Sequence, residues 1–326
     1  MPLCGGTMRL WRDWARLWNG LMRFRNGAAR WRYGAPRWRP FLLCAVLMAH
    51  CTMAQDTRVV LLGTGTPNPD PQRMGPASAV ISGDRVYIVD CGPGVVRRAA
   101  EAGIRMEQLT RLFVTHLHSD HTAGYPDLIL TPAVTGRLQA FEAYGPPGLR
   151  AMTANILRAW KEDLAIRLHG LEPSVPEAYV VHAHDVKPGE IYRDEQVRVT
   201  AFAVPHGSWK YAYGYRFEAK GKVIVFSGDT TFSEELARQA KGCDILVHEV
   251  YSQKGLEKRT PEWRRYHAAF HTSAIDVGRL AAEAQPKKLV LNHLLPMGET
   301  PEEVVGEVRQ HFRGEVIYGQ DLEVIR

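Results

Sequence analysis

Thr115-His116-Leu117-His118-Ser119-Asp120-His121 follows directly on the apolar run Leu112–Val114. In an extended segment side chains alternate with period two, so His116 and His118 point the same way and can hold one metal ion together. Asp120 and His121 come where the chain turns into a new element, placed to face a second ion. Four ligand-type side chains within six residues, at the end of an apolar strand, point to a metal centre rather than to a solvated polar loop.

Two ions need more ligands, and three residues downstream have the same strand-end context. His206 follows Ala203-Val204-Pro205, Asp229 follows the run Val223–Phe226, and His293 follows Leu289–Leu291 and Asn292. Taken singly, His206 or His293 would read as a structural histidine; the shared context makes them ligands. The expected assignment is His116, His118 and His206 on one ion, Asp120, His121 and His293 on the other, with Asp229 bridging both. Imidazole and carboxylate ligands without thiolate suit two zinc ions first, with manganese or iron as alternatives. Two ions about 3.5–4 Å apart can share a bridging hydroxide and steady an anionic transition state. Asp120 would orient that hydroxide as well as act as ligand. Asp90 has two readings, a support for the ligand loop and a turn cap. His248, at the end of an apolar run, is read as structural.

Working outward, short β-rich runs alternate with helical stretches from Asp56 onward, without repeats or low-complexity segments. Strands are expected at Arg58–Leu62, Ala79–Ile81, Val86–Val89, Leu112–Val114, Val197–Val204, Tyr213–Phe217, Val223–Phe226, Ile245–Val247, Leu289–Leu291 and Glu315–Tyr318. Helices are expected at Val95–Ala102, Leu149–Trp160, Ser233–Gln239, Ser273–Glu283 and Pro301–His311. The 326 residues are 45% hydrophobic and 23% charged, enough to bury a sizeable core, which excludes wholesale disorder, collagen and a coiled coil. The pattern predicts one α/β domain over 55–326, with mixed sheets inside and helices outside.

The net charge of +6 belongs to the first 55 residues, which hold nine Arg, no Lys and one acid, Asp13. Taking these from the chain's 41 Lys+Arg and 35 Asp+Glu leaves 32 and 34, so the body is slightly acidic and its charge does not point to nucleic acid. Arg37-Trp38-Arg39, the apolar run Phe41–Met53 and Thr52-Met53-Ala54 resemble the three regions of a secretory signal. Residues 1–54 are therefore expected to be a basic leader and signal peptide cleaved near Ala54, giving an exported protein; a non-functional leader would leave it cytoplasmic. As a helix the apolar run would span about 20 Å, short of the roughly 30 Å of a bilayer core, so no permanent membrane span is expected. The body keeps two cysteines, Cys91 and Cys243, read as free buried thiols, with one bridge between them as the alternative.

Several motifs together resemble the metallo-β-lactamase-fold hydrolases, and within them the ribonuclease Z-like branch. Leu61-Leu62-Gly63-Thr64-Gly65-Thr66-Pro67 looks like that branch's opening loop and Val89-Asp90-Cys91-Gly92 like its supporting strand and turn. The H-x-H-x-D-H block is intact, and Gly228-Asp229-Thr230 resembles the bridging-aspartate motif. Val247-His248-Glu249 is similar to the H-E-A-T motif, with Val250-Tyr251 in place of Ala-Thr. Phe270-His271-Thr272-Ser273 is similar to the segment carrying the branch's proton donor. The resemblance spans residues 58–326. It implies a four-layer αβ/βα sandwich with metals at the sheet edge, His271 as general acid and Glu249 as its orienter.

The same resemblance implies hydrolysis of phosphodiester or related ester bonds, with an arylsulfatase-type hydrolase and a transfer-RNA 3′-processing endoribonuclease as alternatives. A non-catalytic metal-binding module is the competing class. Ribonuclease Z proteins carry an extended Gly/Pro-rich arm for transfer RNA. The stretch of about sixty residues between Gly145 and His206 is already occupied by a helix and strands. A small anionic ester is therefore the favoured substrate over nucleic acid, and self-association is left open.

Other features receive plainer readings. Tyr211, Tyr213, Tyr215 and Phe217 alternate on one strand face and are read as core. Lys254, Lys258, Arg259, Arg264 and Arg265 precede His271 and are read as a solvated loop, with attraction of an anion as the alternative. His182 and His184 are read as structural. Gly145-Pro146-Pro147-Gly148 is a turn without the Lys-Ser/Thr of a phosphate loop, and no G-x-S-x-G nucleophile motif occurs.

Overall fold

The computed structural model describes residues 57–326. The expected leader, residues 1–54, lies outside the described residues. Two seven-stranded sheets form the interior. The first is ordered β14-β1-β2-β3-β4-β5-β6, with β1 Arg58–Gly63, β2 Ala77–Ser82, β3 Arg85–Val89, β4 Arg111–Phe113, β5 Phe141–Gly145, β6 Val181–Asp185 and β14 Val324–Ile325. The second is ordered β13-β12-β11-β10-β9-β8-β7, with β7 Gly189–Arg193, β8 Val197–Ala203, β9 Tyr213–Ala219, β10 Lys222–Phe226, β11 Ile245–Tyr251, β12 Lys288–Leu295 and β13 Glu315–Tyr318. Each sheet has an antiparallel half and a parallel half, β3 to β6 and β10 to β13, the latter built of helical crossovers.

The helices are α1 Val95–Glu101, α2 Ser119–Thr122, α3 Tyr125–Thr135, α4 Leu149–Ala159, α5 Lys161–His169, α6 Glu234–Gln239, α7 Gln253–Glu257, α8 Pro261–Phe270, α9 Ala274–Ala284 and α10 Pro301–Val308. Central strands such as β2 and β11 are buried along their whole length. Their inner faces meet across the sandwich, Val59, Leu61, Tyr87 and Phe113 against Tyr215, Phe217, Ile224 and Val247. The outer face of the first sheet packs on α1 and α3 through Val95, Ala99, Tyr125 and Leu128. That of the second packs on α6, α9 and α10 through Leu236, Val277, Leu280 and Val304. Each such large apolar side chain contributes about 1.5–3 kcal/mol on burial. The expected four-layer αβ/βα sandwich is the observed one.

Some boundaries move for identifiable reasons. Ser233 and Ser273 precede their helices in extended conformation, each side chain accepting a backbone N–H three residues on, so they cap α6 and α9 instead of beginning them. The helix expected over Leu149–Trp160 ends at Ala159, and a second, α5, follows with none of its residues buried. Tyr213, Tyr215 and Phe217 are core residues as expected, but Tyr211 lies outside β9 and is exposed, because the chain there is still returning from a tight turn between His206 and Trp209. Cys91 and Cys243 are free and buried, and burial pushes both thiols up, Cys243 to about 12. Among the described residues no helix is long and apolar enough to cross a membrane.

Candidate metal centre

The carboxyl ends of β4, β8, β10 and β12 open on one edge of the sandwich, and each delivers expected ligands. After β4 the chain stays extended through His118, then α2 carries Asp120 and His121 in a single turn. Asp90, at the end of β3, sits beneath this loop in the left-handed region at φ 60°. Its carboxylate accepts the Thr115 backbone N–H at 2.8 Å and the Thr115 hydroxyl at 2.9 Å, and lies 2.8 Å from His121 Nδ1. That pairing leaves His121 Nε2 directed inward, so Asp90 supports the ligand loop in the way one of its two readings expected.

His206 is held by Nδ1, which donates to the Phe270 carbonyl at 2.7 Å and turns Nε2 inward. Asp229 follows Gly228, whose φ of 59° and 2.6 Å approach of any added Cβ to the Tyr213 carbonyl leave room for glycine alone. His293 is an insertion in β12. Glu249 pairs with Asn292 and the neighbouring Val250 with Leu294, so His293 has no partner and adopts φ 42°. A bulge of this kind re-aims a side chain, and the backbone strain of about 1–3 kcal/mol is tolerated because the surrounding sheet holds it.

The result is a buried cage. His118 Nδ1 lies 2.9 Å from His116 Nε2 and 3.2 Å from His206 Nε2. His293 Nε2 is 3.2 Å from Asp120 and 3.3 Å from Asp229, and His121 Nε2 is 3.6 and 3.4 Å from the same two carboxylates. The donor atoms of His116, His118, His206 and Asp229 form one close group, and those of Asp120, His121 and His293 another. Asp229, His271 and His293 form a third such group, so the structure brings the seven residues together at one place, with Asp229 among them and His271 adjoining.

The chemistry of the cage suits divalent metals. Burial, reinforced by neighbouring imidazoles, holds His116 well below its ordinary range, and burial takes His118 down and His206 to about 4, so these rings present neutral lone pairs. Burial opposes ionisation of Asp229, but His293, His121 and His116 outweigh it and keep the carboxylate charged. His121 Nε2 and Asp229 Oδ1 are buried 3.4 Å apart, in ion-pair reach but without a well-formed hydrogen bond. Carboxylates and imidazoles gathered out of water in this way are costly unless cations or protons are shared among them.

His271 stands at the rim. Its Nδ1 is 3.3 Å from Glu249 Oε2 and 3.9 Å from Asp229. Burial pulls this imidazole down, but the two carboxylates, Glu249 foremost, raise it to about 9. Glu249 is itself anchored, its Oε1 accepting the backbone N–H of Thr230 at 3.2 Å and of Thr272 at 3.0 Å. His248 points away, donating to the Glu249 carbonyl, and His182 and His184 on the edge strand β6 share Glu142 of the neighbouring β5, all three histidines outside the cage.

A cavity of about 770 Å³ opens over Asp120, Asp229, His271 and His293. Its other walls are the opening loop from Gly65 to Arg73, the segment Leu294–Gly298 and one side of α8. Of the cations before His271, Lys254 and Lys258 are tied to Glu299, while Arg259 reaches the cavity. Sequence reasoning missed two features. The Trp209 indole donates to His118 at 2.7 Å, which its place three residues after His206 could have signalled. The aromatic side of α8 also went unread, although Trp263, Tyr266 and Phe270 have helical spacing directly before His271.

Comparison with known proteins adds a consistent set of similarities. Residues 85–294 match the beta-lactamase superfamily domain. Ribonuclease Z of Mycolicibacterium paratuberculosis is 32% identical over 275 residues, covering 82% of this chain and 97% of the relative. Ribonuclease Z of Mycobacterium sp. strain KMS is 35% identical over 241 residues, covering 73% and 84%. Among solved structures, human tRNase Z, short form, aligns with TM-score 0.63 at 23% identity over 82% of this chain and 98% of its own. The metallo-beta-lactamase fold protein YhfI of Bacillus subtilis aligns with TM-score 0.64 at 20% identity over 83% and 100%.

Proposed function

Since this chain belongs to the beta-lactamase superfamily of metal-dependent hydrolases, in its ribonuclease Z-like branch, we propose that it hydrolyses phosphodiester or closely related ester bonds with two divalent ions, zinc first. The observation that carries this reading is the convergence of seven side chains, six of them buried and His118 half-buried, around Asp229, which lies among the donors of His116, His118 and His206 and within 3.4 Å of His121 and 3.3 Å of His293, with His271 and Glu249 beside them. His116, His118 and His206 would hold one ion, Asp120, His121 and His293 the other, and Asp229 both. Two such ions supply Lewis acidity and stabilise anionic charge on the ester oxygens.

The chain's own residues do the rest. Asp120 faces the cavity and accepts a hydrogen bond from the attacking water, fixing its direction. His271 donates a proton to the leaving oxygen, and Glu249 keeps the other ring nitrogen protonated so that the imidazole meets the substrate as an acid. The cavity accepts a compact anionic ester, and the stretch from Gly145 to His206 is taken up by α4, α5 and β6 to β8, which supports a small substrate. Transfer-RNA 3′ processing is the second reading, favoured by curated relatives named Ribonuclease Z.

Metal analysis and turnover of bis(4-nitrophenyl) phosphate, 4-nitrophenyl sulfate and a 3′-extended transfer RNA test these readings together. About two metals per chain and hydrolysis of the diester are expected; faster sulfate cleavage makes it an arylsulfatase-type enzyme, and site-specific cleavage of the RNA favours the second reading. Fewer than one tightly bound metal, with no turnover after adding zinc or manganese, overturns the proposal. Export is proposed on the leader composition alone, and a mature N-terminus near Gln55 supports it, whereas an intact leader on cytosolic protein refutes it.

A further inference from the structure

Helix α8 runs from Pro261 to Phe270 without burying any of its residues, yet it carries Trp263, Tyr266 and Phe270 at positions i, i+3 and i+7. A stripe of that spacing ordinarily faces a protein core. Here Trp263 and Tyr266 line the cavity above Asp120, Asp229 and His293, and remain 55% and 38% exposed. The rings are nonetheless held in place. Trp263 stacks on His267 with centroids 5.7 Å apart and planes 27° apart, and Tyr266 stacks on Phe270 at 4.6 Å and 24°. Trp263 and Tyr266 meet edge to face at 5.7 Å, giving two fixed faces at nearly a right angle.

The position of this corner is informative. The Tyr266 ring centroid is 6.4 Å from that of His271, the group that protonates the leaving oxygen. A ring bonded to that oxygen therefore comes within reach of α8, while the rest of the ester lies over the cage. Arg259, just ahead of the helix, puts a cation on the same side of the cavity. We propose that Trp263 and Tyr266 form a subsite for a planar aromatic leaving group, so that the substrate is an aryl ester of phosphoric or a related acid. This rests on the hydrolase reading above for the roles of the cage and of His271.

The test compares phenyl esters with fluoroalkyl esters whose leaving alcohols match phenol in acidity, on wild type, Trp263→Ala, Trp263→Leu, Trp263→Phe and Tyr266→Ala. Ring stacking by aromatic side chains commonly changes affinity by about 5- to 150-fold. Trp263→Ala, Trp263→Leu and Tyr266→Ala should lose kcat/KM for the phenyl ester by that order, leave the fluoroalkyl ester within about twofold, and Trp263→Phe should retain the phenyl preference. Equal losses for both esters, or none, overturn the proposal. Because no residue of α8 is buried, circular dichroism of each variant should match wild type.

Calorimetric titration of the zinc-loaded protein separates this inference from the reading beneath it. Benzylphosphonate, which cannot be hydrolysed, should bind more tightly than ethylphosphonate by the same factor, and Trp263→Ala should remove the difference. If no ester is turned over but this preference is present, the catalytic reading fails and the subsite stands. Equal binding of the two phosphonates by wild type refutes the subsite.

Discussion

Replacing Glu249 with glutamine isolates one link of the proposed chemistry. Glu249 Oε1 accepts two backbone N–H groups, from Thr230 and Thr272, while Oε2 faces His271 Nδ1. Glutamine keeps the volume and the carbonyl acceptor, so the two amides stay satisfied and stability should change by less than about 1.5 kcal/mol, whereas alanine strands both at about 1–3 kcal/mol each. The amide's NH₂ now points at His271 and requires a bare Nδ1, which is incompatible with an imidazolium. Loss of a positioned general acid costs about 10²- to 10⁴-fold. Glu249→Gln should therefore slow esters of phenol or alkanols by that amount, while a 4-nitrophenyl ester, whose leaving group needs little protonation, should slow by less than about tenfold. His271→Ala should show the same dependence on leaving group, and the double variant should be no slower than His271→Ala, since the pair acts as a unit. The assay is kcat/KM across a leaving-group series for the four proteins, with denaturant unfolding alongside. A loss independent of the leaving group, or a double variant in which the two effects multiply, refutes this role.

The remaining expectations concern the cage and the fold. Asp229→Asn should reduce bound metal from two to one or fewer per chain by elemental analysis, and two tightly held ions in that variant would contradict a shared ligand. Asp90→Asn loses the charged partner of His121 and should weaken metal affinity by about 10- to 100-fold in a chelator competition. Asp194 accepts from Tyr87, Tyr192 and the backbone of Gln196 and Val197, and pairs with Arg85. Burial opposes its ionisation, but the Val197 N–H and the Arg85 guanidinium lead a set of partners that hold it far below the usual carboxylate range. The unfolded chain therefore takes up a proton near pH 4 that the folded chain refuses, so this stability is complete above pH 4 and is lost as pH falls below it. Asp194→Asn should unfold more easily at neutral pH, by about 1–3 kcal/mol, and show a shallower acid limb; an unchanged limb would exclude the carboxylate as its source. Cys91 and Cys243 should resist alkylation at pH 8 in native protein and react in denaturant, as peptide mapping would show; native labelling would contradict their burial.

Much of the fold was legible locally. Apolar runs such as Val59–Leu62 and Ile245–Val247 are strands because both of their faces are covered, and a doubly buried strand needs no partner information to be recognised. The amphipathic edge strands β6 and β7 and the helices α5 and α8 were harder, because each buries little or nothing and so carries a weak periodic signal. The helix α3 went unread because Pro126 and Pro132 interrupt its pattern, although Pro126 lies in the first turn, where its missing N–H costs nothing. Asp90 could not be resolved between two roles, since its hydrogen bonds to Thr115 and His121 span 25 and 31 residues.

The seven candidate ligands follow from residue type and strand-end position, because alternation along a strand and the covalent spacing of H-x-H-x-D-H are properties of the chain alone, whereas the pairing of His271 with Glu249 and the four layers were expected from the family resemblance. The bulge that turns His293 inward, the gathering of the donors around Asp229, and the aromatic corner of α8 over the cavity exist only after distant segments pack. Each depends on register between strands or on which side of a helix is left uncovered, and those are set by contacts made across the whole molecule.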